Sequence, residues 1–277
     1  MSAVKPLNII VTGGARGIGR GIFRHLLGLG HNVLALDSNP TELRHVISQI
    51  EIWNSTGKGK GDALKCDLRN RDEIKRFVAE ADKLFKGRLD VLVNNAFATP
   101  HIWSDGRAMD DESEDIMEQW DTKIAVGLTA PFLLSRLCVP LLKKGDTDAS
   151  PGCIVNVSST RAYQSEINHE GYSAAKAGLL GLTQSMSVSL GHKHKIRVNA
   201  IIPGWIHVDD ENKEADEKRT KWEDALGEED ANWHPAGRVG KVEDVCKALE
   251  YLIGAEFVTG QEVVVDGGVG RKMVYPE

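Results

Sequence analysis

Cysteine is scarce in this chain, with four in 277 residues, and Cys66, Cys138, Cys153 and Cys246 show no CxxC or other metal-ligand spacing. That argues against a disulfide scaffold and against a zinc site. His101 and His207 have no further ligands at a usable spacing, so no metal is expected. Cys66, Cys138 and Cys153 sit in or beside apolar runs, which predicts reduced thiols and a cytoplasmic protein. Positive charge is also short: 34 Lys and Arg against 40 Asp and Glu give a net charge of −6. A nucleic-acid binder needs a basic face, so that class is set aside. Long hydrophobic runs are missing near the start, where "LNIIV" at 7–11 is too short for a signal core or a bilayer span. With neither internal repeat nor low-complexity linker, one domain covering 1–277 is expected.

What the chain does have is rhythm. Short aliphatic or β-branched runs fall at 7–11, 32–36, 62–66, 89–93, 153–157, 196–202 and 262–265. Segments of helical periodicity lie between them at 18–29, 41–53, 71–86, 114–144, 171–192 and 241–254. Nearly all-apolar strands alternating with helices predict a doubly wound, Rossmann-like α/β fold with helices on both faces of a parallel sheet. Such folds bind ligands beyond the carboxyl ends of their strands. Two charged segments with isolated Trp residues break the rhythm, 99–115 and 207–235. Segments this long are more often binding loops than plain connections, so 207–235 is expected to be a substrate lid.

The first strand runs into "TGGARGIG", residues 12–19, which opens a helix. Glycines there permit a tight turn and let backbone N–H groups reach a pyrophosphate at the helix N-terminus. About twenty residues on, Asp37 ends the second strand, placed to hold ribose hydroxyls and to repel a 2′-phosphate. Arg16 pulls the other way, because a guanidinium pairs with such a phosphate. The balance favours NAD(H) over NADP(H).

In "GYSAAKAG" Tyr172 precedes Lys176 by one helical turn, so both heads share a face. A nearby cation makes a phenol a better acid than its reference pKa of about 10, which suits proton transfer at a substrate oxygen.

Taken together these residues resemble the short-chain dehydrogenase/reductase family over about residues 7–270. The glycine turn has the family's TGxxxGxG form, with Gly13, Arg16, Gly17, Ile18 and Gly19. Asp67 and Leu68 in "CDLRN", Asn94 and Ala96 in "NNA", and Pro203, Gly204 and Ile206 in "NAIIPGWI" match its further cofactor motifs. Ser159, thirteen residues before Tyr172, completes a Ser-Tyr-Lys pattern. The resemblance implies a seven-stranded parallel sheet, a homodimer or homotetramer, and a hydride exchanged between nicotinamide and a carbonyl or secondary alcohol. By the same resemblance Tyr172 is the general acid or base. Lys176 lowers its pKa and holds the nicotinamide ribose, and Ser159 binds the substrate oxygen, with Ser158 as the other candidate.

Three positions depart from the family pattern. Gly127 stands where an Asn commonly supports a water leading from the lysine to solvent. Phe97 stands where glycine is common, and Val208 where threonine is usual. An altered proton relay is therefore expected. Phe97, Trp103, Arg161, Trp205 and Trp233, with His101, Gln164 and His207, are the candidate contacts to a cyclic, partly apolar small-molecule substrate that is not highly anionic. Two rivals remain: a nucleotide-sensing binding protein without turnover, and a same-fold enzyme catalysing isomerisation or dehydration with no net redox change.

Overall fold

The computed structural model describes residues 5–143 and 152–273. Its centre is one parallel sheet in the order β3-β2-β1-β4-β5-β6-β7. The strands are β1 (Asn8–Thr12), β2 (Asn32–Asp37), β3 (Gly61–Lys65), β4 (Val91–Asn94), β5 (Cys153–Val157), β6 (Arg197–Pro203) and β7 (Glu262–Val265). All seven coincide with the apolar runs, within two residues at each end. In β1, Ile9 and Val11 face one core while Ile10 faces the other. That period-two split of an all-apolar run is what a sheet covered on both faces requires.

On one face lie α1 (Gly17–Gly28), α2 (Pro40–Trp53) and α9 (Val242–Gly254). The other face carries α3 (Arg71–Phe85), α4 (Asp115–Ile124), α5 (Ala130–Leu142) and α6 (Glu170–His194). In α1, Ile22, Phe23, Leu26 and Leu27 form the buried stripe, each contributing about 1.5–3 kcal/mol by leaving water. Asn39 and Asn70 accept the first-turn N–H groups of α2 and α3, which fixes where those helices begin.

The predicted helix 114–144 is broken. A π-helical stretch at Ala125–Thr129, centred on Gly127, separates α4 from α5. The whole run Asp115–Leu142 is long and apolar enough to cross a membrane by composition, yet Leu134, Cys138 and Leu142 are fully buried in the core beside the sheet. This is core packing.

The 207–235 segment holds two short helices, α7 (Lys213–Lys218) and α8 (Glu228–Trp233). Its first half is pinned to the body. Glu211 is buried and pairs with Arg20 at 3.0 Å and with Arg24, and Arg20 also pairs with Asp216. Burial pushes the Glu211 carboxyl up to about 7 against the pull of the two guanidiniums. None of the four cysteines forms a disulfide, and all are buried. Near the end of the described residues, Val269 lines the chain's own cavity.

Candidate active site

A cavity of about 1430 Å³ opens beyond the carboxyl ends of the strands, with walls from the segments following β1 to β6. Glycine makes the first wall possible. Gly13 has a φ of +65°, and a Cβ there would lie 2.9 Å from the Ala96 Cα. Gly17 and Ile18 line the cavity at the start of α1, where first-turn N–H groups have no intrahelical acceptor. The Gly17 N–H donates to the Glu211 carbonyl at 2.8 Å, tying the lid segment to the turn. Gly19 does not line the cavity. A Cβ on it would overlap the Gly13 carbonyl, so its role is to let α1 pack closely on the turn.

The adenosine end is marked by Asp37, whose carboxylate accepts the Asn39 N–H at 2.9 Å and the Ala15 N–H at 3.3 Å. Asp67 and Leu68 line the cavity beside it. Arg69 donates to Asp67 at 2.6 Å, and this hydrogen bond holds the carboxyl below its ordinary range. Arg16 lines the same end and carries no ion pair among the described residues. Asn94 is placed differently from the expectation. It is buried in the core, donating to Asn156 Oδ1 at 2.8 Å and Ser135 Oγ at 3.2 Å, and Asn156 donates on to Thr183 of α6. The neighbouring Asn95 and Ala96 supply the cavity wall instead, because side chains alternate along β4 and its exit.

At the other end Ser159, Tyr172 and Lys176 come together on the cavity wall. The two serines are distinguished by their bonds. Ser158 Oγ donates to the Lys176 carbonyl at 2.8 Å, whereas Ser159 Oγ accepts the Arg161 N–H at 3.1 Å and hydrogen-bonds the Tyr172 side chain. Tyr172 and Lys176 sit one turn apart in α6, with the ammonium 5.6 Å from the phenol ring centroid. Lys176 Nζ donates to the Val157 carbonyl at 2.7 Å, and burial pushes its pKa down to about 7. Burial raises the Tyr172 phenol above its ordinary value, with Ser159 and Arg161 pulling it down. The depression expected from Lys176 is therefore absent in this geometry. The ammonium is turned to a backbone carbonyl, and desolvation outweighs its field at the phenol.

Phe97 and His101 close over this group. Phe97 meets Tyr172 edge-on at 4.7 Å between centroids, and His101 stacks on it at 4.3 Å. The Phe97 ring also lies 5.2 Å from Lys176 Nζ and fills the space above Gly127, where a Cβ would stand 2.8 Å from its Cδ2. Two tethers hold the loop in place: Lys123 Nζ donates to the Pro100 carbonyl at 2.7 Å, and Trp103 Nε1 to Glu170 at 2.8 Å. Trp103 is consequently a packing residue, buried and off the cavity wall, because its indole is spent on Glu170 and on Lys123 stacked against it. Burial first, then Lys176 and other nearby cationic groups, pushes the His101 pKa down to about 4, so the ring is neutral at pH 7.

Among the remaining candidates Arg161, Gln164, Trp205 and Trp233 line the cavity. Arg161 is paired with Glu166. His207 is buried against Trp222 and lies off the wall.

The sequence model described as enoyl-(acyl carrier protein) reductase matches residues 13–270. The chain belongs to the short-chain dehydrogenase/reductase family. It is 35% identical over 272 residues to an uncharacterized oxidoreductase of Thermotoga maritima, covering 97% of each chain. It is 33% identical to a 3-oxoacyl-[acyl-carrier-protein] reductase of the same organism, covering 94% of this chain and 96% of that one. Among solved structures it resembles an apo SCOR enzyme from Clostridium thermocellum, with TM-score 0.77, 33% identity, and coverage of 98% and 96%. A short-chain type dehydrogenase/reductase from Mycobacterium ulcerans gives TM-score 0.79 at 26% identity, covering 96% and 90%. The chain is thus an oxidoreductase of a family that uses NAD(P)(H).

As a short-chain dehydrogenase/reductase it also carries cavity residues that motif reading passed over: Asn95, His169 and His234. Asn95 was in view within "NNA". His234 had no signal beyond its place in the 207–235 segment.

Proposed function

We propose that this chain is an NAD(H)-dependent dehydrogenase or ketone reductase acting on a small carbonyl or secondary alcohol. The observation that carries the reading is the convergence of Ser159, Tyr172 and Lys176 on one wall of a cavity that also contains the glycine turn. The residues fit a dinucleotide: Gly13 leaves a cradle that a Cβ would fill, and Asp37 presents a carboxylate where a ribose would lie. Gly13, Arg16, Gly17, Ile18, Asp37, Asp67, Leu68, Ala96, Pro203, Gly204 and Ile206 would hold it, the start of α1 favouring its phosphates. When bound, a nicotinamide supplies or accepts the hydride. Tyr172 gives a proton to the nascent alkoxide or takes one from the alcohol, and Ser159, hydrogen-bonded to Tyr172 in the free protein, turns its hydroxyl to the same oxygen when substrate binds. Lys176 supports the phenolate once a ligand draws its ammonium away from Val157. The 207–235 segment acts as the substrate wall of a single domain. Exposed Met117, Phe132 and Val188 support a homo-oligomer.

The test is calorimetric titration with NADH and NADPH, followed by assays in which nicotinamide oxidation is matched mole for mole to alcohol formed. NADH should bind at least about ten-fold more tightly, and Asp37→Ala should shrink that preference by a similar factor, since a repelled 2′-phosphate costs about 1–2 kcal/mol. Tighter NADPH binding would overturn the cofactor assignment. Binding of neither would overturn the enzyme reading.

A further inference from the structure

The first half of the 207–235 segment is tethered beside the glycine turn, and a buried ion pair is the centre of the tether. Arg20 of α1 and Glu211 are each 1% exposed and meet at 3.0 Å. The same guanidinium donates to the Asp210 carbonyl at 3.3 Å, pairs with Asp216, and lies 5.0 Å from the Trp53 ring centroid. Arg24, one helical turn on, pairs with the other Glu211 oxygen. Two outer tethers run to α2. His45 meets Asp216 at 2.6 Å, and the Lys213 N–H donates to Glu42 at 2.9 Å.

What this cluster holds in place is backbone. The Glu211 carbonyl accepts the Gly17 N–H at 2.8 Å, satisfying one of the first-turn donors of α1. Val208, Glu211 and Asn212 line the cavity together with Gly17, Ile18 and Glu42, so they build its wall at the glycine turn. Arg20, Arg24 and Asp216 stay off that wall, so they reach a ligand only through the segment they anchor. A buried ion pair is a poor source of stability, because desolvation offsets much of its attraction. Its directional bonds do fix position.

Building on the dinucleotide-binding reading above, we infer that Arg20 and Glu211 are positioning residues for the cofactor. Their pairing keeps 208–216 seated on the glycine turn, and the dinucleotide binds the seated form.

The experiment titrates NADH into wild type, Glu211→Gln and Asp216→Asn at pH 8, above the value to which burial lifts the Glu211 carboxyl. Nicotinamide fluorescence is followed well below each melting temperature. Trypsin cleavage after Lys213 and Lys218 reports the unseated population of the free protein. Glu211→Gln withdraws the carboxylate from two guanidiniums and should weaken NADH binding about ten-fold, the factor expected when the seated form falls to a tenth of the population. Cleavage should quicken at least as much. Asp216→Asn loosens a partly exposed outer tether without stripping Arg20 of Glu211. It should move both readouts the same way by about two-fold or more. Arg20→Lys should retain more affinity than Arg20→Met, since the ammonium keeps the charge but lacks the fork that reaches several acceptors. Saturating NADH should return every variant to wild-type resistance to trypsin, which a damaged fold would not allow. Unchanged NADH affinity in Glu211→Gln and Asp216→Asn overturns the inference. So does weaker binding with unaltered cleavage, because the charge would then act on the ligand directly and not through the segment. If the wild type binds neither NADH nor NADPH, the dinucleotide reading fails first, and the inference with it.

Discussion

Lys176→Met is expected to lower turnover by about 10³-fold or more while making the cofactor-free protein more stable at pH 6. On the function proposed above, the first effect follows from losing the group that would support ionisation of Tyr172 once cofactor and substrate are bound, since positioned proton transfer contributes about 10²–10⁴ in rate. The second follows from the ammonium's surroundings. Lys176 is buried in the folded protein, with the Val157 carbonyl as its hydrogen-bond acceptor, and an apolar side chain of similar length removes a desolvated charge. The sign with pH is fixed by linkage. Burial lowers the lysine from 10.5 to about 7, so between those values the unfolded chain binds the extra proton and stability rises with pH. The penalty is fully present below about pH 7 and vanishes above the unfolded value. Melting temperatures of the two proteins should therefore be furthest apart at pH 6, with the variant higher, and converge toward pH 10. A gap that stays constant with pH would show that Lys176 is not buried as a charge, and unaltered turnover would remove it from the catalytic group.

How much of this was legible in the sequence depends on the scale of the interaction. The central strands were readable because they must be apolar on both faces, as the split of Ile9 and Val11 from Ile10 illustrates. The Tyr172–Lys176 pair was readable because a helical turn survives projection onto one dimension, and Ser159 only through the family pattern that the chain resembles. The Asn94 core network, the Trp103–Glu170 tether and the buried Glu211–Arg20 pair were not. Asn94–Asn156, Trp103–Glu170 and Arg20–Glu211 are 62, 67 and 191 positions apart, and no local period encodes such a partner. The phenol shift was misjudged for a related reason. The Tyr172 to Lys176 spacing gives proximity, whereas burial and the direction of the ammonium decide the field.

The departure at Gly127 and the departure at Phe97 are one feature seen from two sides. Gly127 sits in the π-helical stretch, buried, and its missing side chain leaves the volume that the Phe97 ring occupies. Restoring an asparagine alone, Gly127→Asn, should therefore fail: its Cβ would lie 2.8 Å from Phe97 Cδ2 and 3.0 Å from Ala175 Cβ. The expected cost is about 1–3 kcal/mol from overpacking, with the ring driven against Tyr172, which it already meets edge-on at 4.7 Å. Turnover should fall with it. Phe97→Gly alone opens a void beside Lys176 and should destabilise by a similar amount through lost packing. The double variant should be better than the sum of the singles by about 1–3 kcal/mol, because each change removes the other's defect. A polar amide would then face the space that the ring had sealed, giving water a route to Lys176 Nζ, and the solvent isotope effect on turnover should change with it. Additive single effects in denaturant melts would mean that the ring moves aside at no cost, and the two departures would then be independent substitutions.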